Sequence, residues 1–110
     1  MYMAQAKQNY GYRLVKLDQR MAGHDIFTHR VIFSNLFDRY HRAESIMFEQ
    51  RNWCWESFGP SMELDMLYSF KRTLDLIDRY NPNWAWEYTG NWISIYLKDS
   101  ALTAWQLKFL

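Results

Sequence analysis

Apolar and polar residues alternate along two stretches of the chain, and a period of two residues is typical of strands. Residues 26–33 are rich in β-branched and aromatic side chains, and Phe27, Val31 and Phe33 fall on one face. Residues 84–88 and 92–98 alternate in the same way on either side of a turn, so they predict a β-hairpin. The pattern therefore predicts one strand near residue 30 and a hairpin near residue 90.

Two other stretches repeat their apolar residues with the period of a helix. The first follows Tyr40 and ends at Gly59-Pro60, because glycine favours a helix end and proline cannot continue one. Its stripe consists of Ala43, Ile46, Met47, Gln50, Trp53, Cys54 and Phe58. The second stretch, residues 62–80, follows the capping residue Ser61 and ends at residues 81–83. These patterns predict two helices between the first strand and the hairpin.

The two ends of the chain are patterned less clearly. Residues 1–25 alternate only weakly and contain Gly11 and Gly23, so we predict an extended N-terminal arm. The arm is ordered only if something pins it: it either frays or reaches a neighbouring subunit. At the other end, Asp99 or Ser100 can cap a short helix from residue 101 to about 105, and the alternation that follows predicts a final strand.

The predicted elements follow one another in the order β-α-(α)-β-β-α-β. This order is the ferredoxin-like pattern, an α+β sandwich in which residues 62–80 form an inserted helix. An α+β domain with only three strands is the alternative. A chain of 110 residues is too short for two domains with separate cores, so residues 26–110 are predicted to form a single domain.

The amino-acid composition mainly excludes some classes of function. The formal net charge of +1 supplies no basic field for duplex nucleic acid, and the single cysteine cannot form an internal disulfide. No apolar run is long enough for a membrane helix, and the first residues lack the apolar segment of a signal peptide. Aromatic residues make up 19% of the chain. Since a small domain cannot bury all of them, we expect exposed aromatic patches, which usually indicate partners.

Catalytic and metal-binding patterns are weak. The four glycines are isolated, so no phosphate-binding loop is predicted. His24, Asp25 and His29 are close in sequence but lack the spacing of a metal motif. Cys54 lies on an apolar helix stripe, where burial makes a thiol inert. The chain has two candidate pairs of carboxylates, Glu63 with Asp65 and Asp75 with Asp78. Neither pair has catalytic residues around it. We therefore predict a protein without enzyme activity, cofactor or metal.

The candidate binding surface is centred on the hairpin. It combines aromatic side chains with two flanking cations and consists of Trp84, Trp86, Tyr88, Trp92, Tyr96, Arg30 and Lys98. Tryptophan and tyrosine dominate binding energy at protein interfaces, which favours a protein partner. The same face can stack the bases of single-stranded nucleic acid, with Lys7, Arg13 and Lys16 of the arm as phosphate contacts. The third interpretation is that another segment covers this face and makes it part of the core.

Three segments carry a resemblance to a known group of proteins. They are W-C-W-E-S-F-G-P-S at residues 53–61, N-W-A-W-E at residues 83–87, and I-Y-L-K-D at residues 95–99, followed by Leu102 and L-K-F at residues 107–109. Together they resemble small uncharacterised proteins of tailed bacteriophages, which share a tryptophan-rich helix end, a W-x-W strand and a closing apolar-Lys-aromatic strand. The resemblance covers about residues 26–110. It implies expression in the cytoplasm of an infected bacterium, and a role in the virion or against a bacterial factor.

One functional hypothesis and one main alternative follow, beside a hydrolase or metal enzyme at His24, Asp25 and His29 that the missing metal-motif spacing disfavours. The hypothesis is a non-catalytic accessory protein that binds another protein through its aromatic face. The partner is a second copy of the chain, a virion component, or a bacterial host or defence factor. The alternative is a single-stranded nucleic-acid-binding protein that uses an aromatic sheet face.

Overall fold

The computed structural model describes residues 11–37, 40–73, 83–89 and 92–110. Within these ranges the chain forms four strands, three α-helices and one short 3-10 turn, which is an α+β arrangement. The elements in chain order are β1 (Tyr12–Lys16), β2 (His29–Phe33), the 3-10 turn (Asn35–Phe37), α1 (Ala43–Phe58), α2 (Leu64–Thr73), β3 (Trp84–Tyr88), β4 (Ile93–Leu97) and α3 (Asp99–Phe109).

The four described strands belong to one antiparallel sheet in the order β1-β2-β4-β3. β1 pairs with β2, β2 with β4, and β4 with β3, so β2 and β4 are the inner strands. Their β-branched and aromatic side chains pack well on a pleated surface. Side chains alternate between the two faces of the sheet, and different helices cover each face.

The first face of the sheet is covered by α1 and α3. The buried core there consists of Tyr12, Leu14, Val31, Phe33, Ala43, Met47, Cys54, Trp84, Ile95, Leu97, Ala101 and Trp105. One hydrogen bond joins two fully buried side chains here: the indole Nε1–H of Trp105 donates to Oε1 of Gln50 at 2.8 Å. The buried amide nitrogen of Gln50 has no hydrogen-bond partner in the described part of the chain. This mainly apolar core therefore encloses one half-satisfied carboxamide.

The second face is covered by α2 and by the loop that joins β1 to β2. Its smaller core consists of Leu17, Phe27, Leu64, Leu67, Ala85 and Tyr96. The loop requires glycine at position 23, because φ is +90° there and a Cβ atom would lie 3.0 Å from the Tyr96 ring. The hydroxyl of Tyr68 accepts the N–H of Gly23 at 2.9 Å and donates to Asp25. Tyr68 thus ties the loop to α2.

The segment between α1 and α2 runs along the outer edge of β3. Glu63 forms a parallel bridge with Trp86, and the Trp86 N–H donates to the Met62 carbonyl at 3.4 Å. The hydroxyl of Ser61 donates to the Trp84 carbonyl. Residues 61–63 therefore occupy backbone groups on the side of β3 that faces away from β4.

Most of the predicted elements are confirmed. α1 and the β3–β4 hairpin have nearly the predicted bounds. The strand predicted at residues 26–33 begins only at His29, because residues 23–27 form a turn in which the Phe27 N–H donates to the Gly23 carbonyl at 2.8 Å. The second helix is confirmed as far as Thr73, and the remainder of its predicted span, residues 74–80, lies outside the described residues.

The predicted N-terminal arm requires a correction. Residues 12–16 form β1, an edge strand that pairs with β2 along its whole length. Tyr12 and Leu14 are buried on the first face, so their weak alternation is that of a strand which completes the core. Residues 11–25 therefore belong to the folded domain, and residues 1–10 lie outside the described residues.

The predicted C-terminal strand is wrong. α3 continues without a break from Asp99 to Phe109. Ala101 and Trp105, one helical turn apart, are buried, whereas Leu107 is 84% exposed. Burial in this segment follows the period of a helix rather than the two-residue alternation that the strand prediction used.

A ferredoxin-like arrangement is not confirmed, although the α+β class is. The observed order is β-β-α-α-β-β-α, so the fourth strand comes from the N-terminal end and a helix takes the C-terminal place. The three-stranded alternative is wrong, because the described residues contain four strands.

Candidate binding surface

The register of the sheet divides the predicted binding surface between two faces. Residues directly opposite each other in a sheet share a face. Trp84 and Trp86 lie opposite Leu97 and Ile95, which places both tryptophans on the first face, as it does Tyr88 two residues further on. Arg30 lies opposite Tyr96 on the second face. The structure therefore does not form one continuous aromatic face from all the predicted residues.

Arg30 is held in a closed polar network on the second face. Its Nε–H donates to Ser94 Oγ at 2.8 Å, and a terminal nitrogen lies 3.5 Å from Oε1 of Glu87. The guanidinium carbon lies 5.2 Å from the Trp92 ring and 5.6 Å from the Tyr96 ring. The Tyr96 hydroxyl also donates to Glu87, at 3.0 Å. Glu87 thus neutralises Arg30 within the domain.

The aromatic row predicted on the second face is mostly covered. Tyr96 is 1% exposed, so its ring cannot stack on a base, and burial raises the pKa of its hydroxyl above the ordinary value. Trp92 is 55% exposed. Lys98 lies beyond the opposite end of β4, where its backbone N–H donates to the Asn83 carbonyl at 3.0 Å. The open stacking face that the nucleic-acid interpretation requires is therefore not formed at Tyr96.

A row of indole rings emerges on the first face, between α1 and β3. Trp84 is fully buried, and its Nε1–H donates to the Gly59 carbonyl at 2.8 Å. Its ring centroid lies 5.5 Å from that of Trp86, which is half-buried. Trp55 of α1 is 45% exposed, and its centroid lies 6.3 Å from that of Trp86. The row therefore runs continuously from the core to the surface.

An open cleft, the α1–β3 groove, lies beside this row. It is lined by Arg51, Asn52, Trp55, Glu56 and Trp86, and its volume is about 500 Å³. Four of these residues come from α1 and one from the edge strand β3. A cleft of this volume is large enough for a small ligand or for a side chain of a partner protein.

Arg51 is the cation of the groove. Its guanidinium carbon lies 4.9 Å from the centroid of the Phe48 ring and 5.3 Å from that of Trp86. The side chain is half-buried, and it makes no hydrogen bond or ion pair with any residue that the structure describes. The two rings thus hold the guanidinium in place by cation–π contact, while its N–H donors remain available.

Tyr88 extends the aromatic row beyond Arg51. Its ring stacks on Phe48 with a centroid distance of 5.4 Å and an interplanar angle of 20°. Its hydroxyl donates to the Glu44 carboxylate, and this hydrogen bond raises the pKa of Tyr88. Tyr88 is 37% exposed, so it forms a partly accessible margin of the groove.

The W-C-W sequence at residues 53–55 explains how α1 builds this surface. Successive helical residues are rotated by about 100°, so the three side chains face different directions. Cys54 points into the core, whereas Trp53 packs edge-on against Phe109 at 5.2 Å. Trp55 points towards β3, and Arg51, one turn earlier, lies on the same side. Sequence reasoning missed Arg51 and Trp55, although a tryptophan outside the apolar stripe and one turn after a cation was a usable signal.

The candidate chemical groups are tied into structural contacts. Burial raises the pKa of the Cys54 thiol to about 12, so the thiol stays protonated at neutral pH. A ring nitrogen of His24 lies 2.9 Å from the Met21 carbonyl, and one of His29 lies 2.9 Å from Thr28 Oγ1. Within the described ranges no three His, Cys, Asp or Glu side chains are grouped to hold a metal ion.

The remaining charged residues of the predictions are dispersed. Glu63 and Asp65 are exposed near the start of α2, and Asp75, Asp78 and Lys7 lie outside the described residues. Arg13 and Lys16 belong to β1, where their odd spacing places them on opposite faces of the sheet. They therefore do not form one basic strip.

Comparisons with known proteins add no identification. No protein-family model, curated protein or solved structure matches this chain. In the part of the chain that the structure describes, no helix is both long enough and apolar enough to cross a membrane. The resemblance to small tailed-bacteriophage proteins therefore stays a prediction, and the candidate site rests on the geometry of the groove.

Proposed function

We propose that this chain is a small non-catalytic protein that acts by binding another protein through the α1–β3 groove. The observation that carries the proposal is Trp55, which is 45% exposed at the end of a row of indole rings rooted in the core. A ring that is already held in place loses little conformational freedom on binding. Tryptophan and arginine are also the residues most often found as hot spots of protein interfaces, and the groove contains both.

The charges around the groove favour a protein over a nucleic acid. Glu56 lines the groove together with its single cation Arg51, and Glu44 accepts the Tyr88 hydroxyl at its margin. This excess of carboxylates repels a phosphate backbone, whose attraction to cations dominates nucleic-acid affinity. A protein segment can place neutral or basic residues against the glutamates. Single-stranded nucleic acid is therefore an outcome to be tested against the proposal rather than the favoured occupant.

The resemblance of the sequence to small phage proteins suggests a setting for this function. In that setting the chain is an accessory protein made in the cytoplasm of an infected bacterium. Its partner is a virion component or a bacterial host or defence factor that the chain inhibits. This setting rests on the resemblance alone, whereas the binding surface rests on the exposed tryptophan and its neighbours.

The test compares the full chain with two alanine variants. Trp55→Ala removes the exposed anchor of the groove, and Leu107→Ala removes an 84% exposed side chain of α3 as the matched control. Tagged chains are used to capture proteins from bacterial lysate, and a captured protein is then purified and titrated calorimetrically. We expect Trp55→Ala to weaken the reconstituted complex by at least about 30-fold, as for a hot-spot residue, and Leu107→Ala to leave it unchanged.

Circular dichroism and thermal melting verify that each variant remains folded. Equal affinity of all three chains for the purified partner contradicts the proposed surface. Capture of material that absorbs strongly at 260 nm, is released by salt and is destroyed by nuclease contradicts the proposal in favour of single-stranded nucleic acid.

A further inference from the structure

Arg51 combines fixed geometry with unused hydrogen-bonding capacity. Its guanidinium carbon lies over the Phe48 and Trp86 rings, and these cation–π contacts use none of its N–H groups as hydrogen-bond donors. It has no ion pair or hydrogen bond within the described part of the chain, unlike Arg20 with Asp18 and Arg30 with Glu87. A guanidinium presents its N–H groups as a fork that matches a carboxylate. Arg51 is therefore positioned to bind both oxygens of a carboxylate that the described residues do not supply.

Other donors line the same groove. No hydrogen bond within the described residues uses the indole Nε1–H of Trp55 or of Trp86, in contrast to the indoles of Trp84 and Trp105. The exposed Asn52 amide likewise has no partner in that part of the chain. Since buried indole N–H groups usually find a partner, those left at the surface of a groove are suited to donate to a ligand. The groove thus offers several donors beside an apolar wall.

Glu56 gives the groove a direction. It lies five residues after Arg51 on α1, about 7.5 Å further along the helix axis and about 140° around it, and it has no ion pair among the described residues. A ligand bound along the groove therefore meets a cation at one end and a hydrogen-bond acceptor at the other. A carboxylate at Arg51, with a peptide N–H directed towards Glu56, satisfies both ends.

The apolar wall lies close to the cation. The Trp86 ring is 5.3 Å from the Arg51 guanidinium, and the Trp55 ring is 6.3 Å from that of Trp86. Both contacts fall within the reach of a single residue that carries its own carboxylate and an apolar side chain. In a protein partner only the C-terminal residue has this combination. An internal Asp or Glu carries a carboxylate but no apolar side chain, so the apolar group must belong to a neighbouring residue.

We infer that the α1–β3 groove binds the free C-terminal carboxylate of a partner chain that ends in an apolar residue. Arg51 holds the carboxylate, Trp55 and Trp86 hold the apolar side chain, and Glu56 accepts a backbone N–H of the partner. Glu56 in the groove and Glu44 at its margin admit one carboxylate at Arg51 but disfavour a polyanion. This inference rests on the proposed protein-binding function and specifies the chemistry of its partner.

The experiment uses small probes on the full wild-type chain. N-acetyl-leucine carries the carboxylate, the N–H and the apolar side chain, and N-acetyl-leucinamide differs only in lacking the charge. N-acetyl-aspartic acid α-amide imitates an internal acidic residue, and inorganic phosphate imitates a nucleic-acid backbone. The readout is the set of tryptophan indole N–H signals in a ¹⁵N–¹H NMR titration, in which Trp55→Phe and Trp86→Phe identify the two groove signals.

The expected result is a saturable shift of the Trp55 and Trp86 signals by N-acetyl-leucine, with a dissociation constant in the millimolar range that suits so small a ligand. N-acetyl-leucinamide produces no comparable shift. Arg51→Gln weakens the binding at least about tenfold, because it removes the charged fork. The control Arg20→Gln, at an exposed arginine outside the groove, leaves it unchanged.

Three results overturn the inference: equal shifts with the acid and the amide, stronger shifts with the aspartate amide or phosphate than with N-acetyl-leucine, or undiminished binding by folded Arg51→Gln. The comparison of probes on the wild-type chain decides the matter even if Arg51→Gln does not fold. If this inference fails but a purified partner still needs Trp55 for binding, the proposed function holds. Carboxylate binding together with a partner that is indifferent to Trp55→Ala contradicts the proposed function instead.

Discussion

Gln50 and Trp105 form a buried polar pair whose energetics can be worked out from their contacts. Gln50 is 1% exposed and Trp105 is fully buried, and they share one hydrogen bond of 2.8 Å. The amide nitrogen of Gln50 lacks a partner in the described structure. A buried donor without an acceptor costs about 1–3 kcal/mol. The pair therefore contains one satisfied donor and one unsatisfied donor, and leaving either of them unpaired costs a similar free energy.

The perturbation is Gln50→Met, which keeps the length of the side chain and removes the carboxamide. It leaves the Trp105 indole N–H unpaired, at a cost of about 1–3 kcal/mol, and removes the unpaired amide, a gain of about the same size. The expected change in unfolding free energy is therefore within about 1 kcal/mol of zero. Trp105→Phe alone costs about 2–4 kcal/mol, because it opens a cavity and leaves the whole carboxamide unpaired.

The assay is a double-mutant cycle of the wild-type chain, the two single variants and the double variant in urea. In the Gln50→Met background Trp105→Phe leaves no carboxamide unpaired and also removes the unpaired indole N–H, so it is expected to cost about 2–6 kcal/mol less than it does in the wild type. Equal m-values confirm that the four chains unfold between comparable states. Additivity within about 0.5 kcal/mol, or a loss above about 3 kcal/mol for Gln50→Met, refutes the reasoning.

Three further predictions concern the second sheet face and the cysteine. Gly23→Ala should lower the free energy of unfolding in urea by about 2–4 kcal/mol, because it forces a side chain to a positive φ and places a Cβ 3.0 Å from the Tyr96 ring. A loss under about 0.5 kcal/mol contradicts this explanation. Native Cys54 should resist thiol reagents at pH 8 and react fully in denaturant, since its pKa is raised to about 12; rapid native labelling contradicts its burial. Burial and the Asp25 carboxylate raise the pKa of Tyr68 to about 12, so the unfolded chain loses this proton first and stability falls between about pH 10 and 12. Tyr68→Phe should reduce that alkaline loss, and an unchanged pH profile contradicts the assignment.

The elements that could be predicted from sequence are those with a strong local period. α1 shows its helical repeat over 16 residues, and the β3–β4 hairpin alternates on both sides of a turn. The C-terminal segment was misread because Trp105, Leu107 and Phe109 satisfy a two-residue period, although Ala101 and Trp105 also satisfy a helical one. β1 was missed because an edge strand of five residues becomes recognisable only through its pairing with β2.

The candidate groove could be anticipated only in part. Trp86 and Tyr88 were predicted to bind a partner, and they do lie beside the groove. Arg51 and Trp86 are 35 positions apart in sequence, so their contact depends on how α1 packs on the sheet. Alternation in a strand shows that two sets of side chains face opposite ways, but it does not show which set a helix covers. This is why Tyr96 was predicted to be open and is buried instead.

The short segment along the outer edge of β3 determines how this sheet can grow. The Trp86 N–H and the Trp84 carbonyl point away from β4, and Met62 and Ser61 already occupy them. A strand from a neighbouring molecule needs these groups to extend the sheet. The segment therefore blocks edge-to-edge pairing at β3. Variants that loosen residues 61–63 should therefore expose a template for fibril formation before they disturb the core on the first face.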